Sequence, residues 1–201
     1  MLDKAVLDKT RGMLAALANY LLKRGITANQ VTVAGFAAGI LAVPLIIFDY
    51  LILALVCIIL NRLLDGLDGT LARLSTPTDR GGFLDIVLDF IFYSAIPLAF
   101  AIANPEANAL AAAVLIYAFI GTGCSFLAFA TIAAKRQMDS TRFPDKSFYY
   151  LGGLTEATET IVLFGVMCLL PSYFSLLAYC FAFLCGITTV LRIRAGLELF
   201  D

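Results

Sequence analysis

The sequence predicts an all-α integral membrane protein in which an N-terminal amphipathic helix lies in the membrane interface (residues 1–25) and a six-helix transmembrane bundle follows (residues 26–201). Three observations predict it. Of 201 residues, 61% are hydrophobic and only 14% charged, with a mean hydropathy of +0.93; a soluble domain of this length needs far more charge to cover its surface. The apolar residues fall into six runs of spanning length. The basic residues cluster so that nearly all of them land on one side of a six-span topology.

Crossing the roughly 30 Å hydrocarbon core takes about 20 mostly apolar residues in a helix. The candidate spans are Val31–Phe48, Leu51–Leu74, Gly82–Ala103, Ala107–Ala134, Lys146–Leu170 and Tyr173–Leu191. Pro44 and Pro97 fall inside spans, where a local kink is tolerated. The breaks at Asp49, at "NPEAN" from Asn104 and at Pro171 contain no basic residue. Lys4, Lys9, Arg11, Lys23 and Arg24 precede the first span, and Arg73 and Arg80 flank the second turn. Lys135, Arg136, Arg142 and Lys146 fill the fourth connection, and Arg192 and Arg194 follow the last span. Only Arg62 lies well inside a span. The positive-inside rule puts the basic side, both termini included, in the cytoplasm.

The first two dozen residues are too polar to span. Leu2, Val6, Met13, Leu17 and Leu21 recur at helical spacing opposite Lys4, Asp8, Arg11, Asn19 and Lys23, a pattern that suits an interfacial helix. A cytoplasmic helix packed on the loops is the alternative. Gly25 ends this helix, and "TANQ" from Thr27 offers a cap for the first span. "MLDKAVLDKTRGML" is charged throughout and does not read as a cleavable signal peptide. The five cysteines form no CxxC pair and lie in apolar runs, as small hydrophobes do. With no histidine in the chain, His-based catalysis and His-ligated zinc are excluded, and nothing points to nucleic acid.

Charge is costly in such surroundings, yet "DGLDGTLARLSTPTDRGGFLDIVLD" carries five acids. At about 100° per residue, Asp65 and Asp68 share one helix face, and so do Asp85 and Asp89. The turn "STPTDRGG" makes the second and third spans antiparallel neighbours, so four carboxylates can converge between two helices, with Asp79 left in the turn. Such a cluster calls for one or two divalent metals, and all-oxygen ligands select hard cations such as Mg²⁺, Mn²⁺ or Ca²⁺. Leu51 to Asp65, Ala103 to Asp89 and Leu170 to Glu156 each cover 14 residues, roughly 21 Å of helix. Acids from three helices therefore share one depth near the cytoplasmic edge. Gly69 and Ala72 leave room for a flat or phosphorylated ligand, though small residues also serve helix packing. Arg73 is placed to meet phosphate, or to snorkel to the interface.

These residues match D-x2-D-G-x2-A-R-x7-G-x3-D-x3-D at Asp65, Asp68, Gly69, Ala72, Arg73, Gly81, Asp85 and Asp89 without departure. The chain thereby resembles the CDP-alcohol phosphotransferases (CDP-alcohol phosphatidyltransferases), and within them a bacterial inner-membrane branch similar to phosphatidylglycerophosphate synthases. The resemblance implies transfer of a phosphatidyl group from CDP-diacylglycerol to a small polar alcohol, with release of CMP. It implies that Asp65, Asp68, Asp85 and Asp89 hold two divalent cations, Mg²⁺ or Mn²⁺, and that Asp89 is the catalytic base. It implies that Gly69 and Ala72 pack against the cytidine, that Arg73 contacts the nucleotide or diphosphate, and that the protein is a homodimer.

The acceptor is less legible. Glycerol 3-phosphate would need two or three cations to converge, and Lys135, Arg136, Arg142, Lys146, Arg192 and Arg194 are the available ones, although positive-inside placement accounts for them individually. A fifth span starting at Thr155 would be short, so the helix is expected to begin near Lys146. That would set Glu156 and Glu159 inside the membrane, lining an acceptor pocket with Thr155. The alternative is that both acids favour a helix N-terminus. Gly35 and Gly39, and "GTGCS" in the fourth span, read as packing. Two other functions compete: a divalent-cation channel or transporter, and a transferase with a lipid acceptor.

Overall fold

A computed structural model describes residues 2–137 and 154–200, with side chains described from residue 12 onward. Every regular element among them is helical: α1 (Leu2–Lys23), α2 (Ala28–Ile40), α3 (Ala42–Ile47), α4 (Leu51–Leu74), α5 (Asp79–Ala103), α6 (Pro105–Lys135), α7 (Ala157–Leu169) and α8 (Phe174–Phe200), with a 3₁₀ turn at Pro171–Tyr173. Four segments are long and apolar enough to cross a membrane: Ala28–Ile47, Asp79–Ala103, Pro105–Lys135 and Pro171–Phe200. Helix α4 has the length but carries the acids, and α7 is apolar but has only 13 residues.

The first span opens with the cap that "TANQ" suggests. Thr27 Oγ1 accepts from the Gln30 N–H at 3.3 Å, and Gln30 Oε1 accepts from the Thr27 N–H at 2.9 Å. Gly25 before it sits at φ 76°, a conformation that favours glycine. The span is interrupted at Leu41, between α2 and α3. Pro44 has no N–H to give the carbonyl of Ile40, so the ladder breaks one turn ahead of it.

Other boundaries differ from expectation for identifiable reasons. Helix α5 starts at Asp79 rather than Gly82, because Thr78 Oγ1 caps the Gly81 N–H at 3.1 Å; Asp79 thus lies in the first helical turn. Helix α6 starts at Pro105, with Asn104 Oδ1 accepting from the Ala107 N–H. Helix α8 runs past Leu191 to Phe200, whose ring packs on Phe129 at 4.9 Å and whose carbonyl accepts from Arg136. The largest difference is α7, which begins at Ala157 and not near Lys146. Residues 154–156 are irregular, yet the Leu154 N–H is satisfied by Thr188 Oγ1 of α8 at 3.2 Å. With that partner inside the protein, the chain need not be helical at this depth.

Helix α1 buries Leu14 and Ala18 against Leu67 and Leu71 of α4, while Met13, Leu17 and Tyr20 stay exposed. The main core is aromatic. Phe164 of α7 meets Phe92 of α5 at 6.2 Å and Phe119 of α6 at 6.4 Å, both edge-to-face, worth about 0.5–1.5 kcal/mol per pair beyond burial. The five cysteines are free thiols.

In lipid, helices are held by close packing more than by burial from water, and glycine sets how close α2 comes to its neighbours. A Cβ on Gly35 would sit 3.0 Å from Leu64 Cβ, and one on Gly39 would sit 2.9 Å from the fully buried Phe92 ring and 3.0 Å from Asn61. We therefore expect Gly39→Ala to destabilise the fold by about 1–3 kcal/mol, read as a lower thermal midpoint in detergent. Gly186→Ala, where nothing lies within 4 Å, should leave the midpoint unchanged.

Candidate metal and nucleotide site

Helix α4 presents Asp65 and Asp68 three residues apart, and α5 presents Asp85 and Asp89 four residues apart, after the short connection at residues 75–78. Although consecutive, the two helices do not close on each other. The extensive contacts of α4 are with α2, α1 and α7, whereas α5 packs on α6, α3 and α2. Carboxylates of α4 and α5 do face one another, but α2 and α3 each pack on both helices, and α2 supplies a third wall of the gap. Thr32, Gly35 and Phe36 of α2, Asn61 of α4 and Leu88 of α5 line that gap with all four aspartates.

Carboxylate oxygens of Asp65, Asp68 and Asp85 all lie within 4.8 Å of one another. Asp89, one turn farther along α5, lines the same gap and accepts a 3.4 Å hydrogen bond from the Tyr93 hydroxyl. Asp68 is only 5% exposed, and its Oδ2 is buried with no hydrogen-bond partner among the described residues. A buried, unsatisfied carboxylate oxygen is costly, and two further carboxylates beside it add repulsion. The cavity between them measures about 10 Å³, room for a small ion or a water but not for a substrate. The donor set is all oxygen. These features fit a hard divalent cation held by Asp65, Asp68 and Asp85.

The remaining signature residues lie on α4 and α5 outside the lining of this gap. Arg73 is exposed at the end of α4, donates to Thr70 Oγ1 at 3.2 Å, and folds its guanidinium over Gly69. Ala72 is half-buried on the same helix. At Gly81 a Cβ would sit 2.8 Å from Asn29 Oδ1 and 3.2 Å from the capping Thr78 Oγ1, so a larger residue would have to push the Asn29 side chain aside at the start of α2.

The expected acceptor residues are placed unevenly. Thr155 is buried and shares a 3.1 Å hydrogen bond with Thr188. One turn farther along α8, Arg192 is 9% exposed, donates to the Thr122 carbonyl at 2.9 Å and lies 5.8 Å over the Phe126 ring. Glu156 is the N-cap residue of α7 and Glu159 is in its first turn, so the helix-terminus alternative describes them, rather than an interior position on a longer helix. Lys135 is exposed at the end of α6. Arg142 and Lys146 lie outside the described residues.

Sequence reasoning missed the α2 wall and Asn61. The signals are Gly35 and Gly39, which read as ordinary packing, and a lone asparagine in an apolar run, which goes unused. It also passed over Arg62, whose Nη1 donates to Asp65 Oδ2 while its Nη2 donates to Thr158 Oγ1 of α7 at 3.3 Å.

Comparison with known proteins identifies the family and the fold. The family model for CDP-alcohol phosphatidyltransferase matches residues 25–191. The Escherichia coli "Inner membrane protein YnjF" is 53% identical over 98% of this chain and 95% of its own length. An archaetidylinositol phosphate synthase of Pyrococcus horikoshii is 37% identical over 44% of this chain and 47% of its own length. Two crystal structures of Mycobacterium tuberculosis phosphatidylinositol phosphate synthase share the fold. One, with CDP-DAG bound, has a TM-score of 0.66 at 23% identity over 91% of this chain and 92% of that one. The other, in complex with manganese and citrate, has a TM-score of 0.69 at 22% identity over 92% and 88%. The chain belongs to the CDP-alcohol phosphatidyltransferase family, and is a membrane transferase of phospholipid synthesis with a carboxylate site for divalent cations.

Proposed function

We propose that the protein transfers a phosphatidyl group from CDP-diacylglycerol to a small polar alcohol, releasing CMP. The observation that carries this reading is the convergence of Asp65, Asp68 and Asp85 within 4.8 Å, beside the small-residue face of Gly69 and Ala72. In this reading the four aspartates hold two divalent cations, Mg²⁺ or Mn²⁺. Bound cations would supply charge neutralisation at the diphosphate and the departing CMP.

The chain's own residues do the rest. Gly69 and Ala72 leave one flank of α4 flat enough for the cytosine to lie on it. Arg73, now turned back over Gly69, swings to the diphosphate and orients it. Asp89 accepts the hydroxyl proton of the acceptor as its oxygen attacks phosphorus, and the Tyr93 hydroxyl holds the Asp89 carboxylate toward the gap. Thr155 and Arg192, joined through Thr188 and its helix, form a polar wall for the alcohol in this reading. On the same reading Arg192, nearly buried on α8, meets the phosphate of an acceptor such as glycerol 3-phosphate. Lys135, Arg142 and Lys146, with Glu156 and Glu159, complete the proposed acceptor set.

The same reading sets the topology. Six crossings are formed by α2 with α3 and by α4 to α8, as one domain, with both termini and the aspartates at the basic, cytoplasmic end of a bacterial inner membrane. Helix α1 lies along the interface with Met13, Leu17 and Tyr20 turned to lipid. The family resemblance supports a homodimer.

Purified protein given CDP-diacylglycerol, Mn²⁺ or Mg²⁺ and a panel of alcohols should release CMP only in the presence of one class of alcohol, and chelation should abolish it. Cation flux in vesicles without CMP release would instead favour a transporter. Asp89→Asn should lower turnover by about 10²–10⁴-fold, the scale of general-base help, with CDP-diacylglycerol binding retained; wild-type turnover would remove Asp89 from the base role. Gly69→Leu should displace Arg73 and raise the KM for CDP-diacylglycerol by about tenfold with a smaller change in kcat, the pattern of lost ground-state binding.

A further inference from the structure

We propose that Arg62 is a positioning residue for the cation site, holding the Asp65 carboxylate in place and tying it to the first turn of α7. An arginine well inside an apolar helix is costly, so its retention there calls for a partner. Arg62 has one on each side. Nη1 donates to Asp65 Oδ2 on its own helix, and Nη2 donates to Thr158 Oγ1 at 3.3 Å across to α7. Both side chains of the ion pair are about three-quarters buried, at 25% and 22% exposure.

The guanidinium is planar, so its two nitrogens are not independent. Fixing one against Thr158 fixes the direction of the other toward Asp65. Asp65 is one of the three carboxylates within 4.8 Å, and holding one of its oxygens sets how the group faces Asp68 and Asp85. The preceding residue braces the other flank: Asn61 Nδ2 donates to the Gly35 carbonyl of α2 at 3.0 Å. One turn deeper than Asp65, α4 is therefore anchored to α2 on one side and to α7 on the other.

Two roles for Arg62 make opposite forecasts. If its charge merely offsets the acids, removing it relieves repulsion toward an arriving cation, and binding tightens. If it positions Asp65, removing it frees a ligand to reorient, and binding weakens. Residues that orient metal ligands through hydrogen bonds typically contribute 10–100-fold to affinity.

This inference rests on the reading of the aspartates as the cation site. The test is direct Mn²⁺ titration of the purified protein in detergent, with free Mn²⁺ followed by electron paramagnetic resonance. Arg62→Gln should weaken Mn²⁺ binding about tenfold, and Thr158→Val by less, about threefold, because it removes one hydrogen bond and leaves Arg62 on Asp65. The Mn²⁺ concentration for half-maximal transfer should rise by the same factors, with a smaller change in rate at saturating Mn²⁺. The thermal midpoint of the metal-free protein should stay near that of the unsubstituted one. Unchanged or tighter Mn²⁺ binding by Arg62→Gln would overturn the proposal. Should that variant fail to fold, Thr158→Val decides, and an unaltered Mn²⁺ affinity there overturns it. Absence of Mn²⁺ binding by the unsubstituted protein would sink the reading of the aspartates itself, a separate outcome from variants that match it.

Discussion

Mutual repulsion among buried carboxylates is the constraint on which the rest of this structure depends. Two unit charges 4.8 Å apart repel by roughly 3 kcal/mol at an effective dielectric of about 20. Asp65, Asp68 and Asp85 make three such pairs, and Asp89 lines the same gap. Few sequences would carry that cost inside a membrane without a counter-charge. Part of the offset is local, through Arg62 on Asp65 and the Tyr93 hydroxyl on Asp89. The remainder matches divalent cations and, in the proposed reaction, the anionic diphosphate that accompanies them.

The scaffold is arranged to keep the acids close without letting their helices collapse. Helix α2 packs on both α4 and α5, and its separation from each is set by glycine. Gly35 admits Leu64 and Gly39 admits Phe92 and Asn61, while Gly81 on α5 admits Asn29. Behind this layer the edge-to-face cluster of Phe92, Phe119 and Phe164 joins α5, α6 and α7. Chemistry and packing are thus coupled at single residues: Asn61 lines the acid gap and also bonds to α2.

Much of this was legible in the residues. Hydropathy located the helices, and eight spaced residues pointed to the candidate site, because close pairs of acids on two consecutive helices stand out against an apolar background. What was not legible depended on contacts distant in sequence. Adjacency in sequence suggested that α4 and α5 pack together, but nothing in either helix says that α2 and α3 pack on both. The start of α7 was misplaced because a length rule assumes that backbone at membrane depth must be helical, and Thr188 of α8 supplies the hydrogen bond that relaxes it. Arg62 looked like an exception to the positive-inside pattern until Thr158, 96 residues away, came into reach. The proposed acceptor pocket is the least legible part: Thr155 bonds to Thr188 of α8, one turn from Arg192 and 33 residues away in sequence.

The central claim is that the aspartates form a divalent-cation centre bounded by α2, α4 and α5. Crystals of the protein grown with Mn²⁺, measured at the manganese absorption edge, test it most directly. The account predicts anomalous difference density between the carboxylates of Asp65, Asp68 and Asp85, within coordination distance of all three. An empty gap at saturating Mn²⁺, or manganese bound elsewhere on the chain, would contradict it.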